Sequence, residues 1–399
     1  MNDTAPSQCP MHDNIDRRKS AKLAEANVQP DEGARWVKTA EIARKVLRSK
    51  KSLQAGAGAE YMTADNPEHI SVFFLDGEDH ANKKRKTQRF LSPKAVSDQH
   101  FKVMTDFTNV LLEEFQKKGS DNLEDISFKL AVEVVGEILG LTDSDRAGRA
   151  HRIRRVMEET IVKPKQGIAG LIQKCTQISL IGTFYWRDVR PAINARKKSP
   201  KNDALSYYIE EKYPVKSIII ECLTYGAAGM MTTREFIVMA AWYLFEDEAL
   251  RDRFMQGDTK DQLAILMEIL RLEPVAGMIH RRLHEELPDF EGETLPSGEL
   301  YGIDLRKSNV DEALVGECPF ALDPDRAKRV KDLGRYMSFG DGSHSCPGWQ
   351  VALHETRIFL ELLFKVPGIK LAREPDISWH QEVVGYELRN AVVTCDKKD

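Results

Sequence analysis

The residues best suited to chemistry lie together in Phe339-Gly340-Asp341-Gly342-Ser343-His344-Ser345-Cys346-Pro347-Gly348. Glycines at alternate positions permit positive φ and let the backbone approach something flat or bulky. Cys346 stands where an amphipathic helix begins, and Pro347 suits the first helical position. The free N–H groups and positive dipole end of a helix stabilise a thiolate and lower its pKa. A thiolate on a tight glycine loop is a good axial ligand for haem iron, pushing electron density onto the metal and favouring O–O cleavage. His344 can donate to a carboxylate such as a haem propionate. The plainer alternative is a buried, inert cysteine behind a surface turn. The Cys-Pro pair does not decide, because Cys9-Pro10 and Cys318-Pro319 occur as well. Only Cys346 has the glycine loop before it and a helical pattern after it.

The elements that must position this loop are mostly helical. Apolar residues at three- and four-residue spacing predict helices over Phe101–Lys118, Ile126–Leu141, Gly170–Leu180 and Asp261–Leu272, with a last one over Pro347–Phe364. Asp31–Lys51 also reads as an amphipathic helix, and Ile70–Leu75 as a short strand. A helix of roughly 30 residues, about 45 Å long, is predicted around Ile218–Phe245. Glu221, Arg234 and Glu235 within it argue against a membrane span. From Pro288 to Pro324 the chain is rich in turns, and Ala391–Thr394 reads as a terminal strand. The expected fold is mainly α with a small β portion. A single large domain over 31–399 would follow a flexible polar segment, 1–30.

Composition narrows the partners. With 58 basic and 62 acidic residues and a net charge of -4, nothing suggests nucleic acid. The N-terminus has no apolar run for a signal or membrane anchor. Six scattered cysteines with no C-x-x-C pair point away from a disulfide framework or zinc site, towards a reducing, cytoplasmic setting.

The cysteine loop resembles the haem-binding signature of the cytochrome P450 family, F-x-x-G-x-x-x-C-x-G. Phe339, Gly342, Cys346 and Gly348 meet its fixed positions, Gly340 and His344 are common choices, and Ala352 and Glu355 continue the helix pattern. The resemblance implies the family's triangular helical fold as one large domain, of the soluble bacterial type, with haem b ligated by Cys346. Glu268-Ile269-Leu270-Arg271 resembles the family's E-x-x-R, and Leu322–Arg326 its meander, so Glu268, Arg271 and Arg326 would form a structural set. By itself such an i,i+3 pair is an ordinary surface pair.

Ala228-Gly229-Met230-Met231-Thr232-Thr233 resembles the oxygen-activation motif A/G-G-x-D/E-T. Gly229 would allow a local helix opening, and Thr232, or Thr233 if the register shifts, would steer protons. The alternative is a threonine bonded to its own preceding turn. Met231 occupies the place of the usual acid, which puts the standard proton path in doubt. Asp76-Gly77-Glu78-Asp79-His80 and the following residues resemble the family's D-x-x-x-H-x-x-x-R-R. His80 with Lys84 or Arg85 would bind haem propionates, as would Arg281 or Arg282; spacing does not choose. Lys83 and Lys86 read as solvated. Arg326, Lys328, Arg329, Lys331 and Arg335 form either a solvated run or a docking patch for an acidic iron–sulfur protein.

These resemblances imply haem-thiolate monooxygenation of an apolar small molecule with dioxygen. Two electrons would come from ferredoxin and ferredoxin reductase as separate proteins. The pocket is expected to draw on Leu53–Phe74, Glu159–Leu180, Tyr225–Thr232 and Val275–Ile279. Met231 motivates an alternative: peroxide-driven or non-hydroxylating chemistry. A haem-binding sensor or carrier, and a haem-free helical scaffold, are further alternatives.

Overall fold

Aspartates set the start of several helices. In the computed structural model, which describes residues 16, 18–23, 33–56, 59, 66–162, 165–288, 294–330, 336–381 and 384–398, Asp145, Asp247 and Asp258 accept from the amides of Gly148, Leu250 and Asp261. Each carboxylate satisfies an N–H that the first turn leaves without a partner. The longer helices are α1 (Ala40–Arg48), α2 (Gly77–Thr87), α3 (Phe101–Lys118), α4 (Leu123–Leu139), α5 (Arg146–Thr160) and α6 (Gly167–Phe184). α7 (Arg190–Lys198) continues α6 through a π-helical segment, Tyr185–Val189. α8 covers 215–246 without a break: Val215–Tyr225, a π-helical segment Gly226–Met231, then Thr232–Glu246. α9 (Glu248–Gln256), α10 (Thr259–Leu272) and α11 (Trp349–Leu363) complete the set.

The core lies where α4, the second half of α8 and α11 meet. Both α4 and the Thr233–Trp242 stretch are buried almost all round, as expected of helices apolar on every face. The β portion is small. β1 (Arg35–Val37), β2 (Ser52–Ala55), β3 (Met278–Leu283) and β4 (Leu300–Asp304) form one sheet in the order β1-β4-β3-β2. β1 runs parallel to β4; β3 is antiparallel to both neighbours, with Arg281 opposite Gln54 and Tyr301. A smaller sheet pairs Val392–Thr394 with Ser120–Asn122 and Lys370–Arg373. The mainly helical architecture and the long helix agree with the sequence pattern.

Some expectations need correction. The helix expected over Asp31–Lys51 is confined to Ala40–Arg48, because Arg35–Val37 is drawn into β-pairing with Tyr301–Ile303. Ile70–Leu75 is not a strand: the Phe74 amide closes back on the Ser71 carbonyl at 2.9 Å, winding Val72–Phe74 into a 3-10 turn. Cys318 is disulfide-bonded, against the reading of the cysteines as unbridged, whereas Cys175, Cys222, Cys346 and Cys395 are free. Within the polar segment 1–30, residues 18–23 pack on the body. The Ser20 amide donates to Glu273 at 3.3 Å, and the Lys19 ammonium lies 4.6 Å from the Trp242 ring centre. The remainder of that segment, except Asp16, lies outside the described residues. Among the described residues no helix is long and apolar enough to cross a membrane.

Candidate functional site

The cysteine loop is held by its own backbone. The Cys346 amide donates to the Phe339 carbonyl at 2.8 Å and the Gly340 amide to Met337 at 2.9 Å. Gly342 has φ +69°, and a Cβ there would sit 2.2 Å from the Leu47 carbonyl oxygen of α1. Only glycine meets both demands. Asp341 caps its own turn through the Gly342 amide at 2.7 Å and anchors the loop to Arg48 at 2.9 Å. Cys346 thus arrives just before α11. Burial pushes its thiol up; the Gly348 amide, which hydrogen-bonds the sulfur, and the nearby Lys84 cation oppose that. Both opposing influences favour a thiolate.

α2 and β3 complete a polar wall beside the loop. Lys84 donates to the carbonyls of Ser343 and, at 2.9 Å, Ser345. The His344 ring donates through Nε2 to Asp76 at 3.0 Å and stacks on His80 with centroids 4.0 Å apart. Burial, with His344 and Lys84 adding, pushes His80 down to about 4, so its imidazole is neutral near pH 7. Arg281 is only 4% exposed, and the one hydrogen bond of its guanidinium among the described residues is to its neighbour's carbonyl, His280 O, at 2.7 Å. Burial draws it down to about 10. Asp76, engaged by His344, opposes that shift without forming an ion pair with Arg281; a buried guanidinium with no carboxylate in contact is costly, so this wall suits a bound group carrying carboxylates, as the propionates of the expected haem would be.

The two open choices of cation part in the structure. Arg282, next along the strand, faces outward and donates to Gly298 O at 2.8 Å. Arg85 is exposed and bonds Asn82 within its own helix. Lys84 and Arg281 therefore stand with His80 and His344; Arg85 and Arg282 do not.

On α8, Gly229 lies in the π-helical segment. A Cβ there would come within 2.9 Å of Val135 Cγ2 on α4. Thr232 closes the segment, its hydroxyl donating to Ala228 O at 2.6 Å on the accessible side of the helix. Ala228 is exposed, whereas Met231 and Thr233 point into the core. Of the two threonines only Thr232 is available to a bound group.

Glu268, Arg271 and Arg326 are brought together. The Arg271 guanidinium holds the Glu268 carboxylate with two bonds of 2.9 and 2.7 Å, and Arg326 reaches the same carboxylate at 3.0 Å. Both arginines also donate to carbonyls between 309 and 321, which ties α10 to the segment before the cysteine loop. The proposed basic docking run is weakened by this. Arg326 is buried, Lys328 pairs with Asp325 at 2.6 Å and Arg329 with Asp323. Lys331 and Arg335 lie outside the described residues.

Sequence reasoning missed one feature beside the site. Lys83, read as solvated, is 1% exposed and forms an ion pair at 2.5 Å with the fully buried Glu221 of α8. The ammonium also lies 4.9 Å from the Tyr213 ring centre. The available signal was the lone carboxylate in the apolar run Ile218–Leu223: a buried charge demands a partner.

Comparison with known proteins agrees with this picture. A family model described as Cytochrome P450 matches residues 263–373, which include the E-x-x-R helix and the cysteine loop. Cytochrome P450 109 of Bacillus spizizenii is 25% identical over 311 residues, covering 74% of this chain and 72% of that protein. Steroid C26-monooxygenase of Mycolicibacterium smegmatis is 21% identical over 342 residues, covering 83% and 81%. The crystal structure of CYP109E1 from Bacillus megaterium in complex with corticosterone superposes with a TM-score of 0.73 at 20% identity, over 93% of this chain and 95% of that one.

Proposed function

The chain belongs to the cytochrome P450 family, and on that premise we propose that it inserts one atom of dioxygen into an apolar small organic molecule. The two electrons come from ferredoxin and ferredoxin reductase, as separate proteins. Residues 31–399 make up the haem-binding domain, and the protein works in the cytoplasm. The observation that carries the reading is Cys346, delivered by a glycine loop to the start of α11 with the Gly348 amide on its sulfur. Haem b, when bound through that thiolate, supplies dioxygen activation.

This chain's own residues then have distinct tasks. Lys84, Arg281, His80 and His344 bind the propionates. Phe339, Gly340, Gly342 and Gly348 hold the loop in register with the ring. Glu268, Arg271 and Arg326 keep the segment before the loop in place and touch no substrate. Thr232 holds a proton at Oγ1, donated to Ala228 O, and would be the hydroxyl free to turn towards a group held on the accessible side of α8, while Ala228 and Gly229 keep that side of the helix thin. An apolar substrate accords with the corticosterone bound in the CYP109E1 structure and the steroid named for the mycobacterial relative.

A second reading rests on Met231. Methionine relays no proton and this one is buried in the core, which favours peroxide-driven or non-hydroxylating chemistry on the same thiolate site. The first test is the absorbance spectrum of the reduced protein with carbon monoxide, beside Cys346→Ser. A strongly red-shifted Soret band, lost in the variant, is expected; a haem protein without that band refutes thiolate ligation. Peroxide-supported turnover equal to the ferredoxin-supported rate would favour the second reading.

A further inference from the structure

Three successive residues, His69, Ile70 and Ser71, each touch a buried polar cluster between α2 and α8. The His69 ring stands edge-on to the Tyr213 ring, with centroids 5.3 Å apart. The Ile70 carbonyl accepts from the Lys83 ammonium at 2.5 Å. Ser71 is wholly buried and lies against the Glu221 carboxylate. Lys83 joins these contacts, because its ammonium also pairs with Glu221 and sits 4.9 Å from the Tyr213 ring centre. Burial raises the Glu221 carboxyl, whereas Lys83 and the hydroxyls of Ser71 and Tyr208 favour its charged form. Directed donors and acceptors at low dielectric fix their partners more narrowly than apolar packing does.

Beyond Ser71 the chain is tied down a second time. Leu75 is buried, and Asp76 accepts from the Gln54 amide and from His344, each at 3.0 Å, in the polar wall beside the cysteine loop. Between the two ties lie Val72, Phe73 and Phe74, wound into the 3-10 turn. None of the three is buried, and Phe73 is 39% exposed. None joins either hydrophobic core of the described residues. The segment thus runs from Glu221 on α8, seven residues before Ala228, to the wall that suits the propionates. It presents apolar side chains that neither core takes up.

We propose that Lys83 and Glu221 are positioning residues for the substrate: by fixing His69–Ser71 they set where Val72 and Phe74 meet an apolar small molecule. The proposal rests on the oxygenase reading for its ligand. It goes beyond that reading in assigning fit to a buried pair that touches no substrate. Replacing a buried ion pair by apolar side chains of like volume often costs no stability, so what this pair adds is geometry. Methionine at 83 and leucine at 221 can keep α2 packed on α8, and with it His80 and Lys84. Neither donates to Ile70 O nor offers Ser71 a polar partner, so the turn would be held mainly at its Asp76 end.

The test uses the full-length, haem-loaded protein, with imidazole and clotrimazole as probes. Both ligate haem iron, but only the bulky clotrimazole also presses on the cavity walls. Lys83→Met with Glu221→Leu should lower the ratio of clotrimazole to imidazole affinity, read from the Soret shift, at least about tenfold, because misplacement by about 1 Å has effects of that size. Imidazole affinity and the unfolding midpoint should stay near those of the parent. Hydrogen exchange of the peptide 66–75 should quicken at least about tenfold, with α10 unchanged. Ser71→Ala strands no charge and should move both readouts the same way, which keeps the test decisive if the double variant does not fold. An unchanged affinity ratio in a folded variant overturns the proposal: the pair is then a brace between helices. Unchanged exchange at 66–75 overturns it as well. Imidazole and clotrimazole weakened equally assign the pair to the haem through His80 and Lys84, and also overturn it. A parent protein without the thiolate Soret band refutes the oxygenase reading, whereas exchange at 66–75 reports on the pair by itself.

Discussion

Replacing Glu355 by glutamine should stabilise the protein at neutral pH, by an amount that grows as the pH rises. Glu355 lies on α11, nine residues beyond Cys346, with 1% of its surface exposed. Among the described residues it has neither ion pair nor hydrogen bond, and Oε1 is wholly unsatisfied. Burial pushes its carboxyl up to about 8; in the unfolded chain a glutamate titrates near about 4.3. Between those values the folded state keeps a proton that the unfolded state has released. The unfolded state then binds fewer protons, so stability falls as pH rises. The stability from this group is fully present below about 4.3, is lost progressively up to about 8, and changes no further above that. At about 1.36 kcal/mol per unit, the loss reaches roughly 3–4 kcal/mol at pH 7. Glutamine keeps the shape of the protonated acid without titrating. Denaturant unfolding of both proteins across a pH series should give nearly equal stability near pH 4 and a glutamine variant ahead by roughly 3–4 kcal/mol at pH 7. Parallel profiles, with a difference independent of pH, would refute the reasoning and mean that the carboxylate is solvated or paired.

Three further outcomes are expected. Lys83→Met or Glu221→Leu alone should destabilise by about 3–5 kcal/mol, because each strands a buried charge; the double variant should recover most of that in a double-mutant cycle. Gly342→Ala should lower the haem-to-protein absorbance ratio, since the new Cβ meets the Leu47 carbonyl at 2.2 Å in a backbone of φ +69°. Strain of that kind costs about 1–3 kcal/mol. Arg281→Ala should speed haem loss to an acceptor protein, whereas Arg282→Ala, whose guanidinium is engaged with Gly298 O, should leave the rate unchanged.

What was legible in the sequence was what local backbone demands dictate. The Phe339–Gly348 loop could be read because alternate glycines, a cysteine and a helix start constrain one another over ten residues. Glu268 and Arg271 lie one turn apart on the same helix, so their pairing follows from periodicity. Choices set by register or by distant partners were not readable. Arg281 and Arg282 are neighbours on a strand, and adjacent strand residues face opposite ways; the pairing of Gln54 and Tyr301 with Arg281 fixes which one points inward. Arg35–Val37 carries a helix-compatible sequence and becomes a strand only because β4, far along the chain, offers an edge. Lys83 looks solvated until Glu221 is brought against it from well over a hundred residues away.

Charge along α8 separates holding from chemistry. Glu221 stands eleven residues before Thr232, about 16 Å along the helix, and its carboxylate is engaged by Lys83, pinning α2 and with it His80 and Lys84. It cannot stand in for the acid that Met231 replaces. Met231 and Thr233 face the core, while Ala228 and the Thr232 hydroxyl face the accessible side. On the proposed function, a proton delivered to Thr232 Oγ1 would come along the accessible Ala228 side and not through the interior of the helix bundle. The π-helical segment widens the helix on the turn between those two residues, and on the proposed function that turn is where water would take the place of the missing carboxylate.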